Sequence, residues 1–139
     1  MAAGNDLGLR VLLAEDDPVS RYAAARMLQR LGCIATEVDN GREALEKLKE
    51  GEFDIVFMDI QMPLLDGVQA TRIIRSSPEF HGKSDIPVVA LTAYADEVER
   101  FVQAGMDMHI AKPVRMEDIV DAVVRCVTDR ESGSRPRRA

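Results

Sequence analysis

Five short stretches of apolar residues recur along the chain, each shorter than a typical helix. Four of them are continuous, which favours strands that are buried on both faces of a sheet. They are LRVLLA at 9–14, DIVFM at 54–58, IPVVAL at 86–91 and MHIA at 108–111. The fifth stretch, CIATEV at 33–38, alternates between apolar and polar residues, which favours a strand at the edge of the sheet.

Helical patterns fill the intervals between these strands. The first begins at Pro18, repeats apolar residues at helical spacing from Ala24 to Leu31, and ends at Gly32. Further helices are predicted at 41–50, 67–76, 96–104 and 116–128. This regular alternation of strand and helix predicts an α/β fold, with one doubly wound parallel sheet covered by helices on both faces.

The length, charge and composition of the chain exclude several classes of function. Its 139 residues fit one domain, and a formal net charge of -6 disfavours nonspecific binding to nucleic acid or to anionic membranes. No apolar stretch approaches the ~20 residues that span a bilayer, and the start lacks the pattern of a signal peptide. Cys33 and Cys126 belong to no CxxC motif, so we interpret them as reduced packing residues of a cytoplasmic protein.

Polar groups follow the strands at the points where the apolar runs end. In a parallel sheet these ends lie along one edge, and ligands bind in the crevice outside it. The groups are Glu15, Asp16 and Asp17 after the first strand, Asp59 after the third, Thr92 after the fourth and Lys112 after the fifth. A single Asp after a strand is often a turn or N-cap residue, and Asp17 before Pro18 has that pattern.

Several carboxylates at one edge repel one another, and folding by itself does not require that cost. Their convergence indicates a divalent cation, and a site built from oxygen ligands favours Mg²⁺ over Zn²⁺. Asp59 could then act as a nucleophile toward phosphorus, with Lys112 and Thr92 binding the phosphoryl oxygens. The sequence contains neither a P-loop nor a GxGxxG motif.

Four segments resemble the receiver domain of bacterial two-component response regulators: VLLAEDDPVSR, DIVFMDIQMPLLDG, PVVALTA and AGMDMHIAKP. They span residues 9 to about 127 in the family's order and spacing. The resemblance implies a flavodoxin-like sheet in the order 2-1-3-4-5 with five helices. The receiver domain would occupy residues 9–128, after a flexible N-terminus at 1–8. The last stretch is polar and rich in Gly, Pro and Arg, which predicts a disordered tail at 129–139.

The resemblance also implies a function. Asp59 would take a phosphoryl group from a histidine kinase or a histidine phosphotransfer protein, and Lys112 would pair first with Asp59 and then with the phosphoryl group. Thr92 would be the switch hydroxyl, and the peptide bond between Lys112 and Pro113 would be cis. The responding surface, at residues ~96–127, would bind a second copy of the chain or an output partner.

For the metal, the resemblance implies Mg²⁺, with Mn²⁺ able to substitute. Asp17 is expected to be a direct ligand, together with Asp59 and the backbone carbonyl of Gln61. Asp16 is expected to act mostly through water.

Two positions concern the switch and the lifetime of the phosphorylated state. His109 occupies the place three residues before the lysine, where the family usually has Tyr or Phe. Gln61 and Tyr94 occupy the positions that flank the path of an attacking water, and neither is a carboxylate that could act as its base.

Two other functions use similar residues. A phosphatase of the haloacid-dehalogenase kind places its nucleophile after the first strand, whereas the lone Asp here follows the third. A binding module that has lost phosphorylation usually lacks part of the Asp, Thr and Lys set, which is complete here. Residues after 128 are too few for a DNA-binding module, and the chain could be a free-standing receiver or a piece of a hybrid kinase.

Overall fold

The computed structural model describes residues 8–93 and 98–132, and strands alternate with helices throughout. The strands are β1 (Arg10–Ala14), β2 (Ile34–Val38), β3 (Ile55–Asp59), β4 (Val88–Thr92) and β5 (Met108–Ala111). The helices are α1 (Pro18–Arg30), α2 (Gly41–Glu50), α3 (Gly67–Ser76), α4 (Val98–Ala104) and α5 (Met116–Ser132), and a 3₁₀ turn spans Pro78–Phe80. The predicted elements are therefore present close to their predicted positions.

All the strands are parallel and lie in the order β2-β1-β3-β4-β5, as predicted. β1, β3 and β4 occupy the middle, and β3 is buried at each of its residues. One expectation for β5 was wrong: it was predicted to be buried on both faces, but it is an edge strand with only Ile110 buried. An edge strand has one neighbour in the sheet and less helical cover, so the apolar run MHIA does not by itself mark a central strand.

The sheet separates two apolar layers because side chains alternate between its faces. On one face, Leu12, Val56 and Val88 pack with residues of α2, α3 and α4. On the other face, Val11, Phe57 and Leu91 pack with residues of α1 and α5. The cysteines behave as predicted, since Cys33 and Cys126 are buried in this second layer and neither is in a disulfide.

Capping residues set the starts of three helices at the edge where the strands end. Asp17 accepts a hydrogen bond from the Ser20 N–H, and Asn40 and Asp66 cap α2 and α3 in the same way. These caps fix the direction in which the chain leaves β1, β2 and β3.

The C-terminal helix is longer than predicted. α5 continues to Ser132, although residues from 129 were expected to be disordered. No glycine or proline interrupts the sequence before Gly133, so nothing in the backbone chemistry ends the helix earlier. The rest of the predicted tail, at 133–139, and residues 1–7 of the predicted N-terminal segment lie outside the described residues.

No helix within 8–93 and 98–132 is both long enough and apolar enough to cross a membrane.

Candidate functional site

The carboxyl ends of β1, β3, β4 and β5 meet around a cleft of about 250 Å³. The cleft brings together the residues that sequence analysis placed at this edge. It is lined by Glu15, Asp16, Asp17, Asp59, Ile60, Gln61, Thr92, Ala93 and Lys112. Parallel pairing explains the convergence, because Asp59 lies opposite Leu91 and Thr92 lies opposite Ala111, one residue before Lys112.

Asp59 is the last residue of the central strand β3, and it is only 4% exposed. The Lys112 ammonium lies 3.1 Å from its Oδ2, and the Gln61 N–H donates a hydrogen bond of 3.3 Å to its Oδ1. The chain turns tightly after it, because the Gly67 N–H donates to the Ile60 carbonyl at 2.9 Å. A Cβ at Gly67 would overlap the Asp59 carbonyl oxygen, so only glycine allows this approach.

Lys112 joins two buried carboxylates. Its Nζ lies 2.9 Å from Oε1 of Glu15 and 3.1 Å from Oδ2 of Asp59. The Lys112 N–H also donates to the Thr92 carbonyl at 2.8 Å, and the peptide bond to Pro113 is cis, as the resemblance implied. These contacts hold the ammonium group at the floor of the cleft.

The crowding changes the proton affinities of all three groups. Burial, followed by the neighbouring Glu15 carboxylate, raises the pKa of Asp59 to about 7, and Lys112 offsets this only in part. Burial acts to raise the pKa of Glu15 as well, but hydrogen bonding with Asp59 and Lys112 outweighs it and the pKa is lowered. Burial acts to lower the pKa of Lys112, but its bonds to Glu15 and Asp59 outweigh it and the pKa is raised.

The three acidic residues after β1 have different surroundings, and the role of Asp17 as a direct metal ligand stays a prediction. The carboxylate of Asp17 caps α1, and the hydrogen bond from the Ser20 N–H lowers its pKa. The carboxylates whose oxygens all lie within 4.8 Å of one another are those of Glu15, Asp16 and Asp59. Asp17 lines the cleft but is outside this group, because it has already turned away to start the helix.

Sequence analysis placed Glu15 at this edge but assigned it no role in the site. The residue is 1% exposed, and besides its ion pair with Lys112 its Oε2 accepts a hydrogen bond from the Asp17 N–H at 3.1 Å. Two signals in the sequence pointed to it. The apolar run ends at Ala14, which makes Glu15 the first residue at the edge, and Asp17 before Pro18 is a helix-cap pattern.

The family model described as "Response regulator receiver domain" matches residues 11–124. The chain belongs to this family. It is a receiver domain of two-component signalling, and the match covers β1 from its second residue, the other four strands in full and the cleft at their carboxyl ends.

Curated relatives of this receiver domain include histidine kinases from distant organisms. "Probable histidine kinase 2" of Oryza sativa subsp. japonica is 38% identical over 132 residues, covering 84% of this chain and 12% of that protein. "Sensor histidine kinase GacS" of Pseudomonas protegens is 38% identical over 119 residues, covering 84% of this chain and 13% of that protein. The chain thus spans about an eighth of the length of these relatives.

A solved structure closely resembles the receiver domain in both fold and sequence. It is the receiver domain of sensor histidine kinase PA1611 from Pseudomonas aeruginosa PAO1, with a TM-score of 0.77 and 33% identity. The match covers 87% of this chain and 98% of that one. That structure is described as having a magnesium ion coordinated in its active site cleft.

The remaining predicted site residues of the receiver domain differ in their surroundings. Thr92 ends β4 and is 1% exposed, whereas the His109 side chain is exposed on the edge strand β5. Gln61 is exposed at the mouth of the cleft. Tyr94 lies outside the described residues. The roles of these side chains in switching and in phosphoryl lifetime remain predictions.

Proposed function

We propose that this receiver domain is a signalling switch that accepts a phosphoryl group on Asp59. The donor would be a phosphohistidine of a histidine kinase or of a histidine phosphotransfer protein. The observation that carries the proposal is the position of Asp59. Its carboxylate is buried at the end of the central strand, with Lys112 on one oxygen and two further carboxylates beside it.

In the proposed reaction, an oxygen of ionised Asp59 forms a bond to phosphorus as the bond from phosphorus to the donor imidazole nitrogen breaks. The electron pair of the broken bond stays on that nitrogen, which takes up a proton. Lys112, 3.1 Å from Oδ2, would first hold the carboxylate in place and then bind a phosphoryl oxygen. The hydroxyl of Thr92, at the end of the neighbouring strand, would donate a hydrogen bond to an oxygen of the same phosphoryl group.

The donor set of the cleft fits Mg²⁺. Three carboxylates with oxygens within 4.8 Å of one another, one of them with a pKa raised to about 7, form a cluster that a divalent cation would neutralise. Both oxygens of Glu15 already have protein partners, Lys112 and the Asp17 N–H. We therefore assign Asp16, Asp59 and the backbone carbonyl of Gln61 as direct ligands, with Glu15 acting through Lys112 and water.

This assignment replaces Asp17 by Asp16 as the direct ligand after β1. When bound, Mg²⁺ would neutralise the negative charge of the phosphoryl oxygens, and Mn²⁺ would be able to take its place. The chain would act as a switch that is phosphorylated and slowly loses its phosphoryl group. It would not be an enzyme that turns over a separate substrate.

The proposed output surface is formed by α4, β5 and α5, residues ~96–127. Two large apolar side chains support it, since Val102 on α4 is 63% exposed and Val124 on α5 is 52% exposed. Such residues favour contact with a second copy of the chain or with an output partner. Amide exchange that changes on phosphorylation only at residues 18–50 would contradict this assignment.

The phosphoryl acceptor can be tested with acetyl phosphate and Mg²⁺, followed by intact mass measurement. The parent should gain one phosphoryl group, and Asp59→Asn should gain none. Asp85→Asn is a suitable control because Asp85 is exposed and precedes β4, at the opposite edge of the sheet. Labelling of Asp59→Asn as complete as that of the parent would exclude Asp59 as the acceptor.

A further inference from the structure

Arg21, in the first part of α1, reaches back over the loop that carries the acidic residues. Its Nη1 donates a hydrogen bond of 2.9 Å to the backbone carbonyl of Glu15. Its Nε lies 3.5 Å from Oε1 of Glu37, on the neighbouring strand β2. One guanidinium group thus joins α1, the loop between β1 and α1, and the edge strand.

The polar atoms of Glu15 each have a partner from a different part of the site. Its N–H donates to the Val38 carbonyl at 3.1 Å, which extends the pairing of β1 with β2. Its two carboxylate oxygens bind Lys112 and the Asp17 N–H. Its backbone carbonyl points out of the sheet pairing, and Arg21 supplies the hydrogen bond there.

The carbonyl that Arg21 binds belongs to the peptide unit that leads into Asp16. Because a peptide unit is planar, holding its oxygen also fixes the direction of the N–Cα bond of Asp16. The Asp16 side chain is exposed, and within residues 8–93 and 98–132 its carboxylate forms no hydrogen bond or ion pair. No side-chain partner among these residues holds this carboxylate, so its position depends on its own rotamer and on the backbone from which it projects.

We propose that Arg21 is a positioning residue for the cation site. By holding the Glu15 carbonyl, it sets the peptide plane from which Asp16 projects toward Asp59. The inference rests on the proposed function, because it concerns how the same carboxylates bind Mg²⁺. Glu37 has a smaller part, since its side chain is 39% exposed and its ion pair with Arg21 is screened by water.

Loss of the Arg21 charge and loss of its hydrogen bond to Glu15 would have opposite effects on Mg²⁺ affinity. A guanidinium group beside the acidic loop repels a cation. Its Nη1 lies only 2.9 Å from the Glu15 carbonyl, so its positive charge is close to the carboxylates of the loop. Removal of the Arg21 charge alone would therefore strengthen Mg²⁺ binding. Loss of a residue that orients a ligand would weaken it.

The decisive variant is Arg21→Met. It keeps an unbranched side chain with an apolar stem, but it removes the positive charge and the N–H donors of the guanidinium group. Mg²⁺ is titrated into the metal-free protein and its dissociation constant is measured by calorimetry. Amide NMR spectra confirm that each variant is folded. We expect binding about tenfold weaker in Arg21→Met, at the low end of the effect of outer residues on metal affinity. Arg21→Lys, with its single ammonium group, should lie between this variant and the parent.

Arg30→Met is the matched control, because Arg30 is exposed in the last turn of the same helix. Its Mg²⁺ affinity should equal that of the parent. Phosphorylation by acetyl phosphate supplies a second readout: Arg21→Met should be slow at low Mg²⁺ and reach the parent rate at saturating Mg²⁺. A general structural defect would leave the rate low at every Mg²⁺ concentration.

The outcomes separate this inference from the function on which it rests. If the parent binds Mg²⁺ and labels on Asp59 while folded Arg21→Met binds Mg²⁺ as tightly or more tightly, the positioning role is wrong and the function stands. If Arg21→Met does not fold, parent-like affinity in folded Arg21→Lys overturns the inference. If the parent itself binds no Mg²⁺, both proposals fail.

Discussion

The Lys112 ammonium lies 3.1 Å from Oδ2 of Asp59, and this ion pair is the central electrostatic contact of the cleft. The same ammonium holds Glu15 at 2.9 Å, so one positive charge serves two carboxylates that are almost fully buried. Burial, followed by the second negative charge on Glu15, explains why the pKa of Asp59 is raised although its partner is a lysine.

Replacing Lys112 with Met should destabilise the metal-free protein. It would leave two buried carboxylates without their cation, and we expect the free energy of unfolding at pH 8 to fall by about 2–3 kcal/mol. Urea denaturation in EDTA measures this change. The loss should be smaller at pH 5, where Asp59 can be protonated in the folded state. Lys112→Arg, which keeps the charge, should lose less; an equal loss would mean that packing matters more than charge.

Replacing Asp59 with Asn should have the opposite effect on metal-free stability. The pKa of Asp59 is raised from 3.8 to about 7 in the folded protein, so the folded state binds more protons than the unfolded chain between these values. The contribution of Asp59 to the free energy of unfolding therefore falls as the pH rises from about 4 to about 7. At pH 8 without metal, Asp59→Asn should be more stable than the parent by about 2 kcal/mol.

This difference between Asp59→Asn and the parent should fade as the pH falls below 3.8, where the carboxyl group becomes protonated in the unfolded chain as well as in the folded protein. It should shrink or reverse at pH 8 in excess Mg²⁺, since only the parent keeps the full carboxylate set. Thermal unfolding scans below pH 3.8 and at pH 8, each with EDTA or Mg²⁺, provide the comparison. A stability difference that does not change with pH would show that Asp59 is not the source of the repulsion.

Asp16 and Asp17 can be compared directly as metal ligands. Asp16→Asn removes a charge from the group of three carboxylates, and we expect Mg²⁺ affinity to fall at least about tenfold. Asp17→Asn keeps the cap of α1, because Asn and Asp are equally good N-cap residues. Its Mg²⁺ affinity should change by less than about threefold. Calorimetric titration of the two variants at equal ionic strength decides between them, and the reverse order would restore Asp17 as the direct ligand.

Tyr94 is predicted to control the lifetime of the phosphorylated state. If its ring covers the phosphoryl group, water attack in line with the leaving carboxylate is hindered, and Tyr94→Ala should lose phosphate clearly faster than the parent. Gln61 flanks the same path and is not a base, so neither residue should assist the attack. Phosphate loss is followed by intact mass in one Mg²⁺ buffer. Equal or slower loss from Tyr94→Ala would contradict shielding.

The sequence by itself determined the architecture. Continuous apolar runs mark the strands, and capping residues such as Asn40 and Asp66 mark the starts of the helices. Both are local signals that can be read from the sequence. Parallel pairing then forces the residues after the strands to one edge, which is why Asp59, Thr92 and Lys112 could be assigned to one cleft before the structure was known.

Only the tertiary structure decided which partner each of the three adjacent acids has in the cleft. The choice depends on where β1 ends and α1 begins, and a shift of one residue turns a side chain to the opposite face. With Ala14 as the last strand residue and Asp17 as the cap of α1, Glu15 points to Lys112 and Asp16 joins Asp59. The hydrogen bond from Arg21 to the Glu15 carbonyl has no sequence signal, because a backbone oxygen is common to every residue and only the folded chain brings a donor to it.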